Sequence, residues 1–158
     1  MKNLFVYLLA FLLFASPVLA TTTPNSVITA QTPNRGLLQF THSSTPGAYA
    51  TAYTGSGNGS KITGVFISNN DSSATHVVTC GIFNTATQYW SYTVTTTSPA
   101  SGSYNDLAFL TTWPGLPVDS DGNPYIYLAS ASDTLQCTFA TTITSSDFID
   151  IGVIAADF

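Results

Sequence analysis

Apolar and polar residues alternate along much of this chain with a period of two, which is the pattern of half-buried β-strands. The segment 59–83 contains two such stretches, rich in β-branched and aromatic residues, on either side of a turn of Asn, Asp and Ser. This arrangement predicts two adjacent strands. Both faces of the first stretch are partly apolar, so we expect a central strand, while Val78, Cys80 and Ile82 share one face of the second.

The same alternation predicts strands in most of the remaining chain. The clearest lies at 134–140, where Leu135, Cys137 and Phe139 occupy one face and polar residues the other, so we expect one buried face. Other predicted strands are 26–31, 36–40, 48–53, 89–95, 125–129 and 148–158, the last with Ile149, Ile151, Val153 and Ala155 facing inward, and 32–35 is predicted to be a turn.

One segment has helical spacing. Leu107, Leu110 and Trp113 recur at intervals of three in 104–113, and Pro114 limits the length of a helix there. Short strands separated by turns, without a repeat or a linker, predict an all-β fold: an antiparallel β-sandwich, jelly-roll-like, with at most one short helix near 104–113.

The first twenty residues have the pattern of a secretory signal peptide. Lys2 supplies a basic start, an apolar run follows at 4–14, and small residues ending at Ala20 form a cleavage site. We expect a signal peptide at 1–20 and a single β-sandwich domain at 21–158, periplasmic or extracellular, without a membrane span in the mature chain. The alternative is an apolar helix that is retained as an anchor.

The charge balance limits the partners. Without the signal peptide, Arg35 and Lys61 stand against eight Asp and no Glu, a net charge of 2 − 8 = −6. Nucleic acid is not expected as a partner, because binding it needs many cations, and anionic membranes are disfavoured for the same reason. So few charges leave the edges of a sheet unprotected, so we expect a homo-oligomer.

Two cysteines, Cys80 and Cys137, lie on the apolar faces of predicted strands. An exported protein enters an oxidising compartment, where a bridge between them would be stable. The sequence does not give the Cα separation that a disulfide requires. A disulfide and two buried free thiols therefore both remain open.

Nothing in the sequence marks a catalytic site, so we expect a protein that is not an enzyme and has no cofactor. His42 and His76 are far apart in the chain, and no Ser lies in a nucleophile-elbow motif. A hydrolase would need one of these His residues close to a hydroxyl and an Asp in a cleft. Two His and two Cys, well separated, do not favour a zinc site.

Two ligand sites are alternatives to structural roles. Tyr89, Trp90 and Trp113 would form an aromatic platform for glycans if they were exposed, whereas period-two placement is equally what core packing requires. The segment from Asp119 through Asp121 to Asn123 has oxygen ligands at alternating positions, as a calcium loop does. The other interpretation of this segment is a tight turn.

Three segments, 31–36, 59–71 and 113–125, together with the closing pattern Asp-Thr-Leu-Gln to Asp-Phe, resemble a group of small bacterial and phage-associated proteins. This resemblance implies a β-sandwich of the virion-surface or decoration type, which acts by assembling and binding. The signal peptide departs from that pattern. We therefore expect an exported structural or binding protein that self-assembles, with a secreted carbohydrate-binding module as the alternative.

Overall fold

The computed structural model describes residues 32–158 as two antiparallel sheets packed face to face. The predicted signal peptide, its cleavage site and the predicted strand 26–31 lie outside these residues. The strands are joined by turns, and the helix has four residues. The prediction of an all-β sandwich with at most one short helix near 104–113 is confirmed.

Nine strands and one helix make up the described chain. In chain order the elements are β1 (Thr32–Thr41), β2 (Ala50–Thr54), β3 (Ser60–Asn69), β4 (His76–Asn84), β5 (Thr87–Thr96), β6 (Asn105–Ala108), α1 (Phe109–Thr112), β7 (Ile126–Leu128), β8 (Asp133–Phe139) and β9 (Phe148–Asp157). Sheet A has the order β1-β9-β3-β6, and β7 pairs with the first residues of β3 on the same side as β6. Sheet B has the order β2-β8-β4-β5.

The prediction that 59–83 forms two adjacent strands is wrong. Both strands exist, but β3 lies in sheet A and β4 in sheet B. The connection 70–75 is long enough to cross the roughly 10 Å between packed sheets. The expected central position of the first strand is confirmed, since β3 pairs with β9 on one side and with β6 and β7 on the other.

One local prediction is wrong, and the predicted helix is shorter than its candidate segment, because strand pairing overrides a weak local signal. The predicted turn 32–35 belongs to β1 and pairs with β9, where Pro33 is tolerated because β1 is an edge strand. The predicted helix is limited to Phe109–Thr112, because Asn105–Ala108 pairs with β3 as strand β6.

The inner faces of the two sheets form one hydrophobic core. A bulge in β3 between Ile62 and Gly64 shifts the alternation by one residue, so that Ile62, Val65 and Ile67 all point inward. The predicted inward faces of β8 and β9 are confirmed. Their buried residues are Leu135, Cys137, Phe139, Ile149, Ile151, Val153 and Ala155.

Cys80 and Cys137 form a disulfide, which resolves the open alternative in favour of the bridge. The two residues lie directly opposite each other on β4 and β8, with their Cα atoms 4.0 Å apart. Both are fully buried. The bridge therefore joins two neighbouring strands within sheet B and closes a loop with a sequence separation of 57 residues.

Candidate functional site

Strand β5 forms one edge of sheet B, and the shorter strand β2 forms the other. Strand β5 pairs with β4, and among residues 32–158 no strand pairs with its other side. Its ten residues include neither a charged residue nor a proline. A bulge leaves Tyr89 without an opposite residue, and pairing with β4 is regular from Trp90 to Thr96. Natural edge strands usually carry charges, Pro or several bulges that block further pairing, and most of β5 lacks them.

The outer face of sheet B is a hydroxyl-rich surface without exposed cations. The hydroxyls of Thr79 and Thr93 hydrogen-bond across β4 and β5 at 2.8 Å, and Thr138, opposite Thr79 on β8, is buried. The four strands contain no Lys, Arg or Glu. Asp133 stands at the first position of β8, and His76, the first residue of β4, is buried.

The structure brings two of the three predicted aromatic ligand residues together. Trp90 and Trp113 meet edge to face with ring centroids 5.7 Å apart, and Trp113 also packs against Tyr92 and Phe109. Trp113 is only 3% exposed, whereas Trp90 is 38% exposed. Tyr89 stands in the bulge and is exposed. Trp90 is therefore the part of this aromatic cluster that an external ligand can reach.

Within this cluster the Trp113 indole is held by ring packing. Its Nε1–H is buried and has no hydrogen-bond acceptor in the described part of the chain. An unpaired buried donor costs stability, which the three surrounding aromatic rings offset. Trp113 does not line the cavities beside Phe66, Leu37, Asn70 or His42.

The predicted calcium loop folds around Asp119. One oxygen of Asp119 accepts hydrogen bonds from the backbone N–H groups of Asn123 (2.9 Å) and Asp121 (3.1 Å), and the other lies 3.4 Å from Lys61 Nζ. The Asn123 N–H is the main cause that lowers the pKa of the Asp119 carboxyl. Within 32–158 no group of three or more His, Cys, Asp or Glu side chains is placed to share a metal ion.

At one end of the sandwich Asp71, His76 and Thr141 form a hydrogen-bonded chain. His76 Nε2 lies 3.0 Å from Asp71 Oδ2, and His76 Nδ1 lies 3.0 Å from Thr141 Oγ1. Both Asp71 and His76 are fully buried. Neither of the two clefts at this end, beside Asn70 and beside His42, is lined by these three residues. These hydrogen bonds therefore hold the loops that contain Asp71 and Thr141 together, and the buried imidazole of His76 is not accessible to a substrate.

A second polar cluster joins the two sheets. Asp157 accepts hydrogen bonds from Tyr53 Oη (2.6 Å), Ser60 Oγ (2.5 Å) and Asn34 Nδ2 (2.8 Å). The bonds from Ser60 and Tyr53 lower the pKa of the Asp157 carboxyl. Burial, and then the hydrogen bond to Asp157, raise the pKa of the Tyr53 phenol to about 12. The cluster therefore ties β2 of sheet B to three strands of sheet A.

Comparison with known proteins gives no relative on which a function could be based. No family model matches this chain, and neither a curated protein nor a solved structure matches it. No helix in the described range is long and apolar enough to cross a membrane. The function must therefore be argued from the surfaces of the molecule itself.

Sequence reasoning missed both polar clusters. Asp71 lies in the turn before β4, and His76 is the first residue of that strand. The sequence therefore offered two signals for the first cluster, an Asp in a turn and a His next to an apolar run. Asp157 gave no such signal. Its three partners lie between 97 and 123 residues away in the chain, and only the pairing of β9 with β1 and β3 brings them together.

Proposed function

We propose that this protein is an exported, non-enzymatic structural protein that assembles with copies of itself through the β5 edge of sheet B. The observation that carries this proposal is the regular, uncharged edge from Trp90 to Thr96 in β5. Its unpaired backbone N–H and C=O groups are a template on which another strand can add.

A second β5 strand is a suitable partner for this edge. Antiparallel pairing of two β5 strands about a two-fold axis would continue sheet B into an eight-stranded sheet across two copies. Like charges would oppose such pairing, and β5 has none. The absence of Lys, Arg and Glu from the neighbouring strands also keeps repulsion low along the joined outer face.

The test is the native mass of the mature protein, measured by light scattering over a range of concentrations. The unmodified protein should form a dimer or a larger regular assembly. A double variant, Ser91→Lys with Thr93→Lys, places two cations on exposed positions of β5, where two copies would bring four of them together. We expect this variant to lose β5 pairing while its circular dichroism is unchanged.

A matched control carries the same added charge away from the edge. Ser101→Lys with Thr142→Lys changes two exposed loop positions and should leave the mass unchanged. The proposal is wrong if the unmodified protein is a monomer at all concentrations, or if both double variants have the mass of the unmodified protein.

The second candidate function, a carbohydrate-binding module, is favoured by the position of Trp90. Its ring is 38% exposed and is held from below by Trp113, and rigid, partly exposed aromatic rings suit stacking on sugars. Neutral oligosaccharides should then shift the tryptophan fluorescence. The Trp90→Phe variant should lose most of the shift, and Tyr104→Phe, at an exposed position outside the cluster, should keep it.

A further inference from the structure

The outer face of sheet A carries an exposed apolar patch. Leu37, Ile154 and Phe66 are 74%, 51% and 46% exposed. Leu37 on β1 and Phe66 on β3 are the pairing partners of Gly152, one on each side of β9. Because glycine has no side chain, a groove of about 630 Å³ lies between them along β9. Single exposed apolar side chains are common, but several on one sheet face form a surface of the kind that contacts a partner.

Charges of opposite sign lie at the two ends of this patch. At one end of the patch Arg35 pairs with Ile154, and Lys61 lies farther from Gly152 at this same end, opposite Ala156. Asp150 and Asp106 are in the row at the opposite end. The two cations of the described chain are therefore on the same face and at the same end of it.

One of these cations forms no ion pair in the described part of the chain. Lys61 lies 3.4 Å from Asp119, whereas Arg35 is exposed and makes no ion pair with any of residues 32–158. The mature chain has a net charge of 2 − 8 = −6, so an unpaired Arg is available to an anionic group of a second molecule.

We infer that the outer face of sheet A is an interface with a second copy of this chain, distinct from the β5 edge. The two copies are related by a two-fold axis that lies between their sheet A faces. This axis runs perpendicular to the strands, above the row that contains Gly152. This rotation stacks patch on patch and reverses the direction of the strands. Arg35 of each copy then faces the Asp150 end of its partner.

A second copy fits this face better than other partners do. The face has Arg35 and the Lys61–Asp119 pair at one end, an apolar middle, and Asp150 with Asp106 at the other end. An in-plane two-fold rotation makes such a face complementary to itself. A uniformly anionic partner, such as nucleic acid or an anionic bilayer, would be repelled by the aspartates. The inference rests on the proposed function in that the partner is again a copy of this chain.

The test isolates this interface by blocking the other one. In the double variant Ser91→Lys with Thr93→Lys, sedimentation velocity should show a dimer that forms through sheet A. Adding Arg35→Glu to this background should weaken dimerisation at least about tenfold, because each dimer loses two attractive charge contacts and gains two repulsive ones. Adding Leu37→Lys, which charges the centre of the patch, should have an effect of at least the same size.

Charge reversal supplies the control. In the same background Asp150→Arg alone should also weaken the dimer, and Arg35→Glu combined with Asp150→Arg should restore it, because the two exchanged charges again face each other across the interface. Rescue supports this orientation of the two copies and is not expected of variants that merely destabilise the fold, which circular dichroism checks independently.

The remaining outcomes distinguish the two proposals. If the β5-blocked protein is a monomer although the unmodified protein assembles, the inference is wrong and the proposed function stands. A dimer that is insensitive to Arg35→Glu and Leu37→Lys overturns the inference as well. If the unmodified protein is itself a monomer at every concentration, both proposals are wrong.

Discussion

Asp71 shows how a single buried carboxylate can hold two loops of the sandwich. It accepts hydrogen bonds from the backbone N–H groups of Ser73 and Thr144 and contacts His76. Burial alone would raise its pKa, but these hydrogen bonds outweigh burial, and the pKa of the Asp71 carboxyl is lowered to about 2. The folded protein therefore stabilises the ionised form of this residue.

We expect the free energy of unfolding to fall as the pH is lowered from about 4 to about 2. A carboxyl whose pKa is depressed in the folded state contributes stability that is present above its unfolded pKa and is lost as the pH falls through the folded pKa. The shift corresponds to about 2 kcal/mol. Urea unfolding at several pH values should show this loss, and Asp71→Asn should lack the Asp71 contribution and be about 2 kcal/mol less stable at pH 7.

The control for this prediction is Asp121→Asn, at an exposed position. It should change neither the stability at pH 7 nor the pH dependence by more than about 0.5 kcal/mol. If Asp71→Asn kept the full pH dependence of the unmodified protein, another carboxyl would be responsible for it.

Because the pKa of the Tyr53 phenol is raised, we expect the free energy of unfolding to fall at alkaline pH. The pKa of the phenol is raised to about 12 in the folded protein, so its contribution is fully present below the ordinary tyrosine pKa of 10.0 and is lost as the pH rises through the folded pKa. Tyr53→Phe should remove this part of the pH dependence and cost about 1–3 kcal/mol at pH 7, because Asp157 loses a donor. Tyr104→Phe, at an exposed site, should leave chemical unfolding at pH 7 and pH 11 unchanged.

Among the elements, β4 and β8 form the covalently joined centre of sheet B. The Cys80–Cys137 bridge lies between the two middle strands, with β2 and β5 outside them. The bridge restricts the unfolded chain by closing a long loop. It does not join the two sheets, which are held together by side-chain packing and by the Asp157 cluster.

Replacing both cysteines by Ala should lower the free energy of unfolding by about 4 kcal/mol, the value expected for a loop of this length. Urea unfolding of the unmodified protein with and without reductant, and of the double variant, measures this contribution. Reductant should have no effect on the double variant. Equal stability of the unmodified protein under both conditions, with the thiols shown to be reduced, would refute the prediction.

Strands with one buried face were predictable from the sequence, whereas their neighbours were not. Leu135, Cys137 and Phe139 alternate with polar residues, and the period alone identifies their common face. The division of β3 and β4 between two sheets depends on which distant strands they meet. For the same reason the sequence suggested Trp113 as a ligand-binding residue but did not indicate that Trp90, Tyr92 and Phe109 pack around it.

In the whole molecule, sheet A depends on β9. This strand lies between β1 and β3 and pairs with each over most of its length. Among the described elements β1 has no other hydrogen-bonded neighbour. The sequence predicted the strand and its inward residues, but nothing local to 148–158 indicates that it occupies the centre of a sheet.

A chain truncated after Asp147 should therefore fail to fold. Without β9, β1 has no strand partner, β3 loses one side, and the core loses four buried residues, Ile149, Ile151, Val153 and Ala155. Near-ultraviolet circular dichroism and urea titration should show neither fixed aromatic signals nor a cooperative transition. A control that lacks only Phe158 keeps β9 whole and should unfold cooperatively, and a cooperative transition in the longer truncation would contradict this role of β9.

The central place of β9 also has a kinetic consequence. Synthesis proceeds from the N-terminus, so β1 and β3 leave the ribosome long before the strand that must lie between them. During that interval β1 has no strand partner and β3 is paired on one side at most. The closing event joins β9 to β1, more than a hundred positions earlier in the chain, and such distant pairing is slow. Because most of the strands carry little charge, the nascent chain is prone to aggregate through these unpaired strands until β9 has paired with both β1 and β3.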